Sequence, residues 1–376
     1  MNKKLFLLLT ILIIIAFGLG TLIGYYELFP NPIVKSIFKQ PINQNINVDS
    51  FSKYNASSFI HENNFDDYLE LRSNLINYIW KDSSLSYSKL PKNIEINIVD
   101  EKYSDLENLR QIDKFLILME YDVTSTAYLF LPHDSNKKLM IYHQGHEGDF
   151  YHGKNTIEFF LKNGYSVLAF SMPLLGPNNQ PLIETEFGSI KLASHNYFSF
   201  LESSKFSPLK FYFEPIVQSL NYVEQNFNYE NVYMVGISGG GWTTTVYASL
   251  DERILQSYSI AGSIPIPLRT SENDLGDYEQ TLPSFYRIAN YLELYLLASI
   301  GDERKHVQIF NKYDPCCFAG DIRGVFDTEI QTIVKELGVG GYYQIYVDDT
   351  HYEHKISEYS LKIIQNEINK IQLNND

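Results

Sequence analysis

Asn231-Val232-Tyr233-Met234-Val235-Gly236-Ile237-Ser238-Gly239-Gly240-Gly241 is an apolar run that stops abruptly on a serine flanked by glycines. A helix-compatible stretch follows to Leu250. This is a Gly-x-Ser-x-Gly pattern in a strand–turn–helix setting. In so sharp a turn, Cβ atoms two positions either side of the serine would collide with neighbouring chain, which is why glycine stands there. The turn lifts the Ser238 hydroxyl out of the sheet to the N-terminus of the next helix. Free backbone N–H groups and the helix dipole favour developing negative charge at that point. A phosphate-binding loop would end in Gly-Lys-Ser/Thr, and this turn does not. A dinucleotide-binding loop would follow an early strand, and this strand comes late.

Outward from the turn, strand and helix patterns alternate. Upstream, 94–98 alternates apolar and polar residues, and 115–121 with 126–131 predicts a hairpin. Residues 139–142 form a short apolar run, 154–163 predicts a helix closed by Asn163-Gly164, 165–170 a strand and 208–227 a long helix. Downstream, 254–260, 307–311 and 343–347 predict strands, with helices at 327–337 and 355–371. Near the start, Phe65, Leu69, Leu71, Leu75, Ile76 and Ile79 keep helical spacing and predict a docking helix over 65–80. The expected class is α/β, with a mostly parallel sheet flanked by helices. Ligands of such sheets sit at the carboxyl ends of the strands.

On these residues, the chain from about 110 to 371 resembles the α/β-hydrolase superfamily, in particular its serine-esterase and peptidase-like members. The resemblance implies a nucleophile, an acid and a histidine in that chain order, each after a later strand. Ser238 stands as the nucleophile. Asp314, just beyond the strand at 307–311, stands as the acid; its rival Asp302 precedes that strand. Two histidines follow the strand at 343–347. His354, in His354-Lys355-Ile356-Ser357, resembles the family pattern leading into a terminal helix, and His351 remains the alternative base. The oxyanion hole would take the Gly239 N–H and a second donor from His143-Gln144-Gly145-His146-Glu147-Gly148. That loop resembles a His-Gly motif with Gln144 inserted, so Gly145 and His146 are both candidates. The irregular stretch 263–305 lies where the superfamily places a cap.

The implied chemistry is hydrolysis of carboxylic esters, small-molecule or lipid-like, through an acyl-enzyme and without cofactor. Peptidase or amidase action of the same fold is the alternative, and a catalytically silent binding protein is the second class. His143, His146 and Glu147 lack the i, i+4 spacing of a helical zinc site, so no metal is expected. Cys316 and Cys317, beside Asp314, are expected to pack under a loop, with a vicinal disulfide as the alternative.

Composition bounds the rest. Of 376 residues 44% are apolar and 15% aromatic, enough for a large core. Thirty Lys+Arg against 45 Asp+Glu give a net charge of −15, which argues against a nucleic-acid partner. Two cysteines exclude a disulfide scaffold. Leu5 to Ile23 is uncharged and follows Lys3-Lys4, so residues 1–29 are expected to be a signal anchor or single transmembrane segment. Residues 30–60 would be a linker and 61–376 the catalytic domain. That domain would face outward from the membrane, or be secreted if the first segment is cleaved.

Overall fold

In the computed structural model, residues 51, 53–61, 64–269 and 274–372 are described, with Thr10, Ala16, Leu19 and Gly20 further upstream. The chain divides into two units, Met1–Asn43 and Gln44–Asp376, and the second is described here. No helix among the described residues is long and apolar enough to cross a membrane. The expected membrane segment at 1–29 lies almost wholly outside them.

Nine strands form the main sheet: β1 (Asn93–Glu95), β2 (Leu109–Leu118), β3 (Thr124–Pro132), β4 (Lys138–His143), β5 (Ser166–Phe170), β8 (Asn231–Ile237), β9 (Ile254–Ile260), β10 (Lys305–Asn311) and β11 (Tyr342–Asp348). A separate hairpin is made by β6 (Leu182–Thr185) and β7 (Gly188–Lys191). The sheet order is β1-β2-β3-β5-β4-β8-β9-β10-β11. From β5 to β11 every neighbouring pair is parallel, whereas β1, β2 and β3 join antiparallel. The expected mostly parallel α/β sheet is present. β4 and β8 are buried on both faces or nearly so, which is why their sequences read as continuous apolar runs rather than alternations.

Among the described residues the longer helices are α1 (Phe65–Trp80), α2 (Lys154–Lys162), α3 (Lys210–Asn226), α4 (Gly239–Leu250), α5 (Tyr291–Ser299), α6 (Asp327–Leu337) and α7 (Glu358–Gln372). α4 begins on the residue after Ser238 and is buried along its whole length. α1 opens with a capping box, Asn64 accepting from Asp67 N–H at 3.1 Å and Asp67 accepting from Asn64 N–H at 3.2 Å. Its buried face is Tyr68, Leu71, Arg72, Leu75, Ile79 and Trp80. The expected Leu69 faces outward instead, because Tyr68 takes the matching place one turn before Arg72 and Leu71. Arg72 then reaches across to the end of α4, donating to Ser249 O at 2.9 Å.

Two regions differ from the sequence reading. The last part of the expected linker packs on the body: Ala56 is buried, and Phe51 and Tyr54 lie against the core. Asn290 Nδ2 holds Phe59 O at 2.5 Å. The stretch 263–305, irregular in the sequence, holds a single helical turn at Pro283–Tyr286 and then α5. The first ends at Tyr286, and Asn290 starts the second, its side chain accepting from Leu292 N–H at 2.9 Å. α5 is buried all round, so it is a layer of the core.

Candidate active site

Ser238 sits between β8 and α4 at φ 57°, ψ −127°, a backbone state costing on the order of 1–3 kcal/mol for a residue with a side chain. The strain persists because the turn is clamped from all sides. Ser238 N–H donates to Ile260 O at 2.9 Å. A Cβ on Gly240 would lie 2.1 Å from His143 O, so nothing larger than glycine fits there. The hydroxyl-bearing side chain stands at the first turn of α4, whose leading N–H groups, Gly239 first, have no partner within the helix.

Along the sheet, β8, β9, β10 and β11 pair in register, Gly236 with Ser259, Ile260 with Ile309, and Asn311 with Asp348. The residues just past β8, β10 and β11 therefore emerge at one end of the sheet. There the structure joins Asp314 and His354: Nδ1 of His354 is 2.7 Å from Asp314 Oδ2. Asp314 is buried and its other oxygen accepts from Cys316 N–H at 2.8 Å and Cys317 N–H at 3.4 Å. Asn311 Nδ2 holds both Asp314 Oδ2, at 3.2 Å, and Lys355 O, at 3.0 Å, so the acid loop and the histidine loop are tied together. Nε2 of His354 is buried without a hydrogen-bond partner.

The other candidates separate clearly. His351 pairs with Asp348, Nε2 to Oδ2 at 3.4 Å, and not with Asp314. Asp348 also accepts from Thr350 N–H at 2.9 Å and Ser360 Oγ at 2.9 Å. Burial works to raise its carboxyl, and His351, Ser357 and Thr350 together hold it well below the usual carboxylate range. Asp302 lies in the turn before β10, at the opposite end of the sheet. Cys316 and Cys317 form a vicinal disulfide, with Cys316 exposed. The expected burial under a loop holds only for Cys317, which packs against the core: the loop turns its backbone N–H groups inward to Asp314, and both sulfurs lie within 4.8 Å of a His354 ring nitrogen.

The loop after β4 lies directly against the turn. A Cβ on Gly145 would stand 2.6 Å from Ser238 Cβ and 2.7 Å from Ile237 O, a close approach that only glycine allows. The inserted Gln144 is accommodated by burying its side chain, where the Tyr142 hydroxyl donates to it. Its N–H is spent on Phe170 O at 2.9 Å, leaving Gly145 and His146 as the next donors along the loop. Burial pushes the neighbouring His143 imidazole down to about 4.

Sequence reasoning missed three residues here. His195 opens a short turn after the β6–β7 hairpin, and Asp277 and Glu279 come from the stretch between β9 and α5. His146 Nε2 lies 3.1 Å from His195 Nδ1 and 3.2 Å from Glu279 Oε1. Burial lowers the His195 imidazole, and fully buried Glu279 outweighs that, raising it above its ordinary value. Conversely, burial raises Glu279, and His195 and His146 hold it below the usual carboxylate range. Only the Ser194 cap, accepting from Asn196 N–H at 3.3 Å, gave a local sign of this turn.

No protein-family model and no curated relative matches the chain. Solved structures do resemble it. An acetyl xylan esterase from Thermoanaerobacterium sp. JW/SL YS485 matches at 13% identity and TM-score 0.54, over 85% of this chain and 98% of that one. An acetyl xylan esterase from Paenibacillus sp. R4 matches at 13% and 0.53, over 84% and 98%. The methylesterase BT1017 matches at 11% and 0.56, over 89% of this chain and 70% of that one. The likeness places this chain in the α/β-hydrolase fold.

Proposed function

We propose that this α/β-hydrolase-fold protein is a serine hydrolase that cleaves carboxylic esters through an acyl-enzyme. The observation that carries the reading is the strained Ser238 turn on the same sheet end as the 2.7 Å Asp314–His354 pair. Because His354 Nδ1–H donates to Asp314, the neutral ring keeps its lone pair on Nε2, the nitrogen without a partner. That nitrogen takes the Ser238 proton as Oγ attacks the acyl carbon. The tetrahedral oxygen gathers negative charge, for which Gly239 N–H and an N–H of Gly145 or His146 are the donors. His354 returns its proton to the leaving alcohol, a water repeats the sequence, and Ser238 is freed. Asp314 stays ionised throughout and fixes the tautomer.

Ester rather than amide substrates are favoured because the three solved structures are named as esterases. A fluorophosphonate probe tests the reading: it labels the wild type and not Ser238→Ala, and an unlabelled, folded wild type would sink it. Membrane anchoring through Leu5–Ile23 rests on the sequence. Fractionation of cells with and without alkaline carbonate wash tests it, an anchored chain staying with the membrane.

A further inference from the structure

His146, His195, Asp277 and Glu279 each offer one ligand atom, and the four atoms lie within 4.8 Å of one another. We propose that they bind one divalent transition-metal ion, zinc by preference, which staples the stretch between β9 and α5 to the loop carrying Gly145 and His146. Acyl transfer requires none of the three side chains beyond the loop.

The spacing supports a four-coordinate ion. Zinc holds nitrogen and oxygen ligands at about 2.0–2.2 Å, so the edges of its tetrahedron are roughly 3.4 Å. His146 Nε2 stands 3.1 Å from His195 Nδ1, 3.2 Å from Glu279 Oε1 and 3.4 Å from Asp277 Oδ2. His195 Nδ1 stands 3.6 Å from Asp277 Oδ2, and 3.5 Å from Oε2, the other oxygen of Glu279. With both rings neutral, as metal ligands must be, ordinary hydrogen bonding leaves this group unsatisfied. His195 Nε2 donates to Pro173 O at 2.7 Å, so in the neutral ring the lone pair is on Nδ1 and faces the cluster. Two carboxylates face it as well, and Glu279 Oε1 is buried without a hydrogen bond. Three acceptors thus converge on the one N–H that a neutral His146 can offer. A cation satisfies all four groups at once.

Charge and surroundings agree. Two neutral imidazoles and two carboxylates sum to −2, matching a divalent ion, and among the described residues no Lys or Arg pairs with Asp277 or Glu279. An N₂O₂ set suits zinc over magnesium or calcium, which prefer all-oxygen shells. The outer contacts are those of ligand-orienting groups: a backbone carbonyl on the far nitrogen of His195, and the Tyr212 hydroxyl donating to Glu279 Oε2 at 2.9 Å. Asp277 and His146 are partly exposed, which leaves the ion a way in. The His146 ring also lies against the nucleophile turn, since a Cβ on Gly239 would be 2.4 Å from its Cε1. An ion on Nε2 would therefore hold still the loop from which the second oxyanion donor comes.

The experiment is metal analysis of the full, untagged chain, purified without chelator. About one zinc per chain is expected, retained in Ser238→Ala, which separates this outcome from the hydrolase reading. Chelated protein titrated with Zn²⁺ should regain one ion, and Co²⁺ should give the strong visible bands of a four-coordinate site. Asp277→Asn and His195→Gln should each weaken zinc by more than the roughly tenfold to hundredfold that loss of an outer contact costs. Asp277 is partly exposed, so that variant should fold as the wild type does by circular dichroism. Wild type with no bound metal and no zinc uptake overturns the proposal. So does unchanged zinc affinity in both variants, or weak six-coordinate cobalt bands.

Discussion

The loop after β11 carries two histidine–carboxylate pairs three residues apart, His351 with Asp348 and His354 with Asp314. Both carboxylates are buried and both accept several hydrogen bonds, but only His354 bonds its acid, at 2.7 Å; His351 Nε2 stands 3.4 Å from Asp348 Oδ2 without a hydrogen bond. The histidines' other nitrogens differ as well. His351 Nδ1 accepts from Glu353 N–H at 3.1 Å, so the lone pair of its neutral ring is already engaged. His354 puts Nδ1–H on Asp314 and leaves Nε2 free. The Asp348 network also serves a different end: Ser357 donates to Asp348 and accepts from Ser360 N–H at 3.0 Å, fastening the start of α7. One pair is arranged for proton transfer, the other for holding a helix.

Three variants press on the first pair. Ser238→Ala and His354→Ala should each lower kcat on a nitrophenyl ester by on the order of 10⁴–10⁶. Asp314→Asn should cost about 10⁴, because the amide stabilises the wrong tautomer while leaving the packing intact. Steady-state rates in matched buffers check all three. Retained activity in His354→Ala would hand the base to His351 and break the comparison.

What the sequence disclosed follows the range of the interactions. The turn around Ser238 is local: an apolar run, three glycines and a helix start within about a dozen residues, and each constraint is steric. The ends of β8, β10 and β11 could be aligned because parallel strands with helical crossovers leave little freedom of order. The choice between His351 and His354 was not legible, since it depends on a backbone N–H two residues on and an acid 40 residues away. His195, Asp277 and Glu279 were still less so. They meet His146 from a hairpin exit and a two-turn loop, and no periodicity or spacing links those segments. The inserted Gln144 was visible as a departure, but its burial on Tyr142 needed the fold.

A milder test addresses the second pair. His351→Gln should leave kcat nearly unchanged and lower Tm by a few degrees, as expected for about 1 kcal/mol lost from a domain this size. Thermal unfolding and the ester assay on one preparation read both. A rate loss as large as that of His354→Ala would mean the two pairs act together.

The effect that leaves the ester chemistry untouched concerns a histidine with no acid at all. His306, at the start of β10, is fully buried between Ser257 Oγ, 2.8 Å from Nδ1, and Thr245 Oγ1, 3.4 Å from Nε2. Burial, with Arg304 nearby, pushes its imidazole down to about 3. The unfolded chain protonates this group near the usual 6.5 or so, so between those values the unfolded state binds the extra proton. Stability is therefore complete above about pH 6.5 and falls as the pH drops toward 3, by up to about 1.4 kcal/mol per pH unit from this residue. His306→Gln removes the titrating group while keeping a donor and an acceptor. Urea unfolding at steps from neutral to mildly acidic pH should give a shallower slope for the variant. Equal slopes would mean that His306 takes up a proton in the folded protein, and that a buried histidine here needs no carboxylate to become charged.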